Sequence, residues 1–195
     1  MVKVTKKENK GDKEKELIEI RIHGRGGQGA VTTAQLLAIA AFYEGKYVQA
    51  FPFFGIEREG SPSTSFVRIS TKPINERQQI YNPDYAIIFD PSLIKLVNAS
   101  KGVKKTMIIN TSQKIQGCCT EDVTSRAIRL FGKPIVNTLI LGAFAAFTGV
   151  VRLESLERAI EDKFKGKDKL IQQNKQAVRE TYEEVINNNG KLKQK

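Results

Sequence analysis

The chain has 195 residues, 40% of them hydrophobic and 27% charged, the balance of one α/β-sized soluble domain and too short for two ordinary ones. Its longest apolar stretch, 135–151, is broken by Asn137, Thr138, Gly142, Thr148 and Gly149, so it lacks the ~20 continuous apolar residues of a membrane span. The formal charge of +11 gathers at the ends, +2 in residues 1–16 and +5 in 163–195, and without basic residues interleaved with aromatics on one face it argues against nucleic acid as a partner.

Residues 1–16 (MVKVTKKENKGDKEKE) read as a disordered charged tail. They have no apolar core of a secretory signal, which implies a cytoplasmic protein. Residues 17–187 are expected to form a single domain, followed by a basic tail at 188–195. The first strand spans 17–23, with Ile18, Ile20 and Ile22 on one face and Glu19 and Arg21 on the other. A glycine loop at 24–29 leads into a helix over 30–43, closed by Gly45. Strands follow at 47–53 and, after a long loop containing Gly55, Gly60 and Pro62, at 64–70.

The run DYAIIF at 84–89 is apolar throughout, as in a strand covered on both faces. It ends at Asp90-Pro91, which predicts a helix start with Asp90 as cap. A short strand is expected at 106–109 and a helix at 122–131, stopped by Gly132 and Pro134. Asn137 is read as the cap of a helix reaching Thr148, and further helices are expected at 153–164 and 170–187. Strands and helices alternating in this way predict an α/β fold, layered, with a largely parallel or mixed sheet and flanking helices.

The loop contains Gly24, Gly26 and Gly29, which satisfy G-x-G-x-x-G between a strand and a helix. Glycines allow the sharp turn, and the N–H groups opening the helix can hold an anion. Two features speak against a nicotinamide or flavin site. The second strand ends in Phe-Pro-Phe without the acid that binds a ribose hydroxyl. The first strand alternates polar and apolar, where the central strand of a dinucleotide fold is apolar on both faces. A tight packing turn and a generic anion site both remain open, and His23 reads as a hydrogen-bonded strand-end residue rather than a catalyst.

Two predicted helices, 30–43 and 137–147, have almost no polar side, so each must be covered all round. A chain of this size covers one such helix easily and two with difficulty, so burial against partner subunits and ordinary burial in the chain's own core both remain open. The two cysteines, Cys118 and Cys119, are adjacent, and His23 is the single histidine. A zinc site needs about four N/S ligands and an iron–sulfur cluster about four cysteines, so this chain supplies neither. Two free thiols are expected.

Taken together, the ordered motifs resemble the gamma subunit of pyruvate and other 2-oxoacid:ferredoxin oxidoreductases. GRGGQGA at 24–30 with its Ala/Leu-rich helix is similar to the family's opening, and FFGIEREGSP at 53–62 is similar to its Phe-Gly-x-Glu-x-Arg-Gly segment. The likeness continues through FVRIS at 66–70, Asn82-Pro83-Asp84 with Asp90 and Leu93, and NTLILGA at 137–143, and covers about 17–185. Glu59 departs from the family pattern, while Pro62 and Phe66 resemble the pyruvate branch.

The resemblance implies an enzyme that splits 2-oxoacids with thiamine diphosphate and magnesium, gives the acyl group to CoA, and passes electrons through 4Fe–4S clusters to ferredoxin. Those cofactors would belong to alpha, beta and delta subunits, with none held by this chain and neither nucleic acid nor membrane as a partner. The gamma chain would contribute no catalytic residue or metal ligand. It would instead offer a ligand or interface loop made of Gly24, Arg25, Gly26, Gly27, Gln28, Gly29, Glu57 and Arg58. A stand-alone nucleotide-binding oxidoreductase is the competing reading, as is a gamma-type subunit for 2-oxoglutarate, 2-oxoisovalerate or indolepyruvate.

Overall fold

Strand β1 (Leu17–Arg25) buries Ile20 and Ile22 on one face, and Arg21 and His23 on the other. The computed structural model to which it belongs describes residues 17–53 and 58–192; the 1–16 tail and Glu57 lie outside the described residues. The remaining elements are α1 (Ala30–Tyr43), β2 (Tyr47–Pro52), β3 (Pro62–Ser70), β4 (Tyr85–Ile88), α2 (Leu93–Leu96), β5 (Thr106–Asn110), β6 (Cys119–Glu121), α3 (Val123–Phe131), α4 (Leu139–Thr148), α5 (Leu153–Lys163) and α6 (Asp168–Leu192).

The strands form one mixed six-stranded sheet in the order β2-β3-β1-β4-β5-β6. β3 runs antiparallel between β2 and β1, whereas β1, β4, β5 and β6 pair in parallel. From β1 the chain passes through α1 toward β2; from β4 it turns the other way, toward β5. The carboxyl ends of β1 and β4 therefore diverge, and in open α/β sheets ligands bind in the crevice that such a divergence opens.

One face of the sheet carries nearly all the helices. Ile20, Ile22, Val67, Ile69, Ile87 and Ile108 pack there against α1, α3, α4, α5 and α6. The other face holds a small cluster of Ala86, Ile88, Ile109, Leu93 and Ala99 under α2 and its flanking loops. Alternation along β4 explains the division, with Tyr85 and Ile87 on the helical side and Ala86 and Ile88 on the other.

β1 is a central strand, contrary to the inference from its polar face. That face is buried because its polar groups find partners inside. The Arg21 guanidinium donates to the carbonyls of Tyr81 at 3.1 Å, Ala99 at 3.0 Å and Lys101 at 2.7 Å, and its Nε donates to His23 Nε2 at 2.9 Å. With Nε2 accepting, the neutral ring keeps its proton on Nδ1, which faces Thr64 Oγ1 at 3.4 Å. Burial and then the neighbouring Arg21 charge lower the His23 pKa from 6.5 to about 4.

A pKa lower in the folded than in the unfolded chain means that the unfolded chain takes up the proton first. Stability is then full above about pH 6.5 and falls as the pH drops toward 4, by on the order of 3 kcal/mol in total. Urea midpoints measured between those pH values should fall accordingly. The profile should flatten in His23→Gln, which has no titrating ring.

For α1 and α4 the structure decides between the two kinds of burial. Every residue from 139 to 145 is buried within the chain, because the 25-residue α6 lies along α4 and α5 and α3 close its flanks. The sheet and α5 cover one side of α1, burying Leu36, Leu37, Ala40 and Ala41 but leaving Phe42 exposed. α4 therefore needs no partner subunit to be buried, whereas α1 keeps an open apolar side chain. Asn137 is not a helix cap: Thr138 precedes α4 without a side-chain cap bond. At Asp90 the chain makes a turn, closed by Leu93 N–H donating to the Asp90 carbonyl, and the helix it predicted shrinks to the single turn α2 with Ser92 at its start. β6 carried no sequence expectation at all, and α6 continues past Asn187 to Leu192.

A cleft at the divergence of β1 and β4

The glycine loop lies where β1 and β4 part. Gln28 locks it locally: its N–H donates to the Arg25 carbonyl at 2.9 Å, and its Oε1 accepts from Arg25 N–H at 2.8 Å. The loop ends at Gly29, whose φ of 82° puts it in the left-handed region. Helix α1 begins there with no side-chain cap and no acid in its first turn. Its opening N–H groups carry the positive end of the helix dipole without an internal anion to neutralise it.

The glycines are required for different reasons. A Cβ on Gly26 would meet the Arg58 carbonyl oxygen at 2.4 Å, and one on Gly29 would meet Asn137 Nδ2 at 2.6 Å. Gly27 has open space around it, and only its φ of 90° restrains substitution. Close packing thus requires glycine at positions 26 and 29 but not at 27. Gly27→Ala should cost only about 1–2 kcal/mol through backbone strain. Gly26→Ala must also push away the backbone at Arg58, and should lower the thermal midpoint more than Gly27→Ala does.

Around the loop is a cleft of about 550 Å³ lined by Gly27, Gln28, Phe89, Asp90, Asn110 and Thr124, with 134–137 on its far wall. Each wall is built from the carboxyl end of a parallel strand or from the segment opening a helix. Asn110, ending β5, donates to the Phe89 carbonyl and to Thr124 Oγ1, both at 2.8 Å, so the floor is fixed by hydrogen bonds. Thr33 Oγ1 donates to the Asn137 carbonyl at 2.6 Å, tying the far wall to α1. Asn110, Thr124 and Asn137 were not among the sequence-predicted site residues. The N-terminal position of Asn137 before an apolar run hid its role, since that pattern is also a cap pattern.

Of the predicted residues, only Gly27 and Gln28 line the cleft; Gly24, Arg25, Gly26 and Gly29 complete the same loop, and Arg58 joins it through its backbone. Gly26 N–H donates to the Ser61 carbonyl at 2.8 Å, and Gly60 N–H donates to the Gly26 carbonyl at 3.1 Å. Arg25 pairs with Asp90 at 2.6 Å. Burial pushes the Asp90 carboxyl up, but hydrogen bonds from Arg25 and Ser92 outweigh it and hold the group below the usual carboxylate range. Asp90 is thus already engaged by a cation.

The cysteines lie away from this cleft. Cys119 packs with the helix-side core and Cys118 with the opposite cluster, so the adjacent thiols point to opposite faces of the sheet. Both are free, and burial raises both thiol pKa values. Two divergent thiols do not provide the four-thiolate shell of an iron–sulfur cluster, and no group of three metal-ligating side chains occurs among the described residues. Nor is any described helix long and apolar enough to cross a membrane.

Comparison with known proteins agrees with this geometry. Residues 19–184 match the family described as pyruvate ferredoxin/flavodoxin oxidoreductase. The chain is 50% identical over 180 residues to pyruvate synthase subunit PorC of Methanocaldococcus jannaschii, covering 89% of this chain and 100% of that one. It is 49% identical over 182 residues to the pyruvate/ketoisovalerate oxidoreductases common subunit gamma of Pyrococcus furiosus, covering 87% and 97%. The crystal structure of pyruvate oxidoreductase subunit PORC (EC 1.2.7.1) from Thermotoga maritima superposes with a TM-score of 0.75 at 36% identity, covering 87% of this chain and 97% of that one. This chain belongs to the pyruvate ferredoxin/flavodoxin oxidoreductase family, and the relatives it matches along almost their whole length are its gamma or PorC subunits.

Proposed function

We propose that this chain is the gamma subunit of a cytoplasmic, thiamine-diphosphate-dependent pyruvate:ferredoxin oxidoreductase. Its partners are alpha, beta and delta subunits, and the assembled enzyme makes acetyl-CoA, CO2 and reduced ferredoxin. The observation that carries the proposal is the match, over 87–89% of this chain and 97–100% of theirs, with gamma and PorC subunits of enzymes named for pyruvate. In this reading thiamine diphosphate, magnesium and the 4Fe–4S clusters belong to the other subunits, which fits the two divergent thiols, Cys118 and Cys119, of this chain.

Within the assembly the cleft receives the phosphate-bearing end of CoA. The uncapped N-terminus of α1, the open space around Gly27, and the position at the strand divergence support this role. Backbone N–H donors and the helix dipole hold an anion by charge and hydrogen bonding without needing a particular side chain. The chain's own work is to bind and orient this co-substrate and to complete the assembly.

Omitting this chain from a reconstitution of the other subunits should abolish pyruvate- and CoA-dependent ferredoxin reduction, and adding it back should restore the activity. Full CoA-dependent turnover without the chain would refute the proposal.

A further inference from the structure

The glycine loop contains Arg25, and the turn packed on it contains Arg58. Either arginine could answer a phosphate, yet their surroundings differ. All three guanidinium nitrogens of Arg25 are engaged internally: Nε donates to Asp90 Oδ2 at 2.6 Å, Nη1 to the Gly60 carbonyl at 3.1 Å, and Nη2 to Ser92 Oγ at 2.8 Å. Three segments distant in sequence meet on this one side chain. Arg58, in contrast, is exposed and has no ion pair among the described residues.

The turn that carries Arg58 is closed upon itself and fixed to the loop. Ser61 Oγ donates to the Arg58 carbonyl at 2.6 Å, and Arg58 N–H donates to Ser61 Oγ at 3.0 Å. Gly60 adopts φ 77°, which lets its N–H reach the Gly26 carbonyl at 3.1 Å. The absent Cβ of Gly26 leaves room for the Arg58 backbone to lie directly on the loop. Without Arg25, this turn would lose its link to the β4 side of the cleft and be held only by its backbone pairing to Gly26, which would then open more often.

From this geometry we infer that Arg25 is a positioning residue and not a ligand contact: it clamps the 58–61 turn between the glycine loop and the 90–92 turn, so that Arg58 is the cation offered to the phosphate-bearing ligand. The inference rests on the CoA reading given above. It has a chemical corollary. A lysine at position 25 keeps the charge but offers one nitrogen where three acceptors lie in fixed, separate directions, so it cannot replace the clamp. A lysine at position 58 keeps what a phosphate contact needs, a mobile positive charge.

The test uses the purified multisubunit enzyme carrying Arg25→Ala, Arg25→Lys, Arg58→Ala or Arg58→Lys, with CoA as the ligand. Amide exchange at Gly26 and Gly60 reads the clamp, and the KM for CoA against kcat reads the ligand. Both Arg25 variants should speed exchange at these two amides and raise the KM about tenfold with little change in kcat. Arg58→Ala should raise the KM similarly with exchange unchanged, and Arg58→Lys should recover most of the affinity. Wild-type exchange and wild-type KM in Arg25→Lys would overturn the positioning role. Faster exchange in the Arg25 variants, with the KM unmoved in all four, would overturn instead the CoA site and the role given to Arg58.

Discussion

Gly142→Leu is expected to unfold the helical layer. Gly142 sits in the middle of α4 where that helix crosses α6, and a Cβ there would lie 2.4 Å from the Val178 carbonyl oxygen and 3.2 Å from Tyr182 N. These are backbone atoms of a buried helix, so relief requires moving α6 rather than rotating a side chain. Small residues at a crossing let two helix backbones approach, and overpacking such a contact costs about 1–3 kcal/mol or more. Leucine should be at the upper end or beyond, because Thr181, with no exposed surface, and the buried Val178 line the same contact. Even Gly142→Ala should lower the urea midpoint, since the first added carbon makes the clash. A wild-type midpoint for the alanine variant would contradict the packing of α4 on α6.

Arg68→Leu is the second large effect. Arg68 has no exposed surface although it carries a full charge in β3. It is stable there because Glu19 Oε1 accepts from its Nε at 3.1 Å, the Gln78 carbonyl accepts from Nη2 at 2.7 Å, and Gln49 Oε1 accepts from Nη1 at 3.3 Å. Its guanidinium also lies 5.5 Å from the centre of the Phe51 ring. Removing the cation leaves Glu19 with only Lys104 Nζ, at 3.9 Å, and leaves the buried Gln78 carbonyl without its donor, a loss toward the lower end of the about 3–5 kcal/mol for a broken buried pair. Pairing Arg68→Leu with Glu19→Gln should recover part of the loss, because the stranded carboxylate is then neutral. Chemical denaturation of the two variants separates the charge effect from lost packing. Equal losses in both would show that packing alone governs the site.

The same two contacts show why some of the fold was legible and some was not. Helix α1 follows from local signals, a glycine turn before Ala30 and Gly45 after Tyr43, and its bounds match the sequence reading. The insertion of β3 between β1 and β2 depends on pairing Leu17 with Ser70 and Tyr47 with the same Ser70, which no local pattern announces. Strand β6 was missed because Cys-Thr-Glu is too short to show alternation and forms only by adding to the edge of β5. The polar face of β1 misled for a physical reason. Polar residues at alternate positions signal solvent unless long-range partners satisfy them, and the partners of Arg21 are 59 to 80 residues away.

The candidate site divides along the same line. Its loop was visible as glycines between a strand and a helix, because the requirement for positive φ and close approach is written in the residue type. Its floor and far wall, Asn110, Thr124 and Asn137, come from separate elements and meet only when β5, α3 and α4 are in place. The two apolar helices left burial against partners and burial within the chain both open, because sequence alone does not reveal that α6 lies along α4. Membership of the family, whose matched relatives are gamma or PorC subunits, supports assembly, and of the two apolar helices only α1 leaves a large apolar side chain, Phe42, exposed.

The most direct test of the gamma-subunit assignment is to tag this chain in its native source, purify it without oxygen, and identify what travels with it. Three further chains in equal amount are predicted, together with thiamine diphosphate, iron, and CoA-dependent reduction of ferredoxin by pyruvate in the same fractions. Recovery of the chain alone, with the pyruvate activity in fractions that lack it, would contradict the assignment.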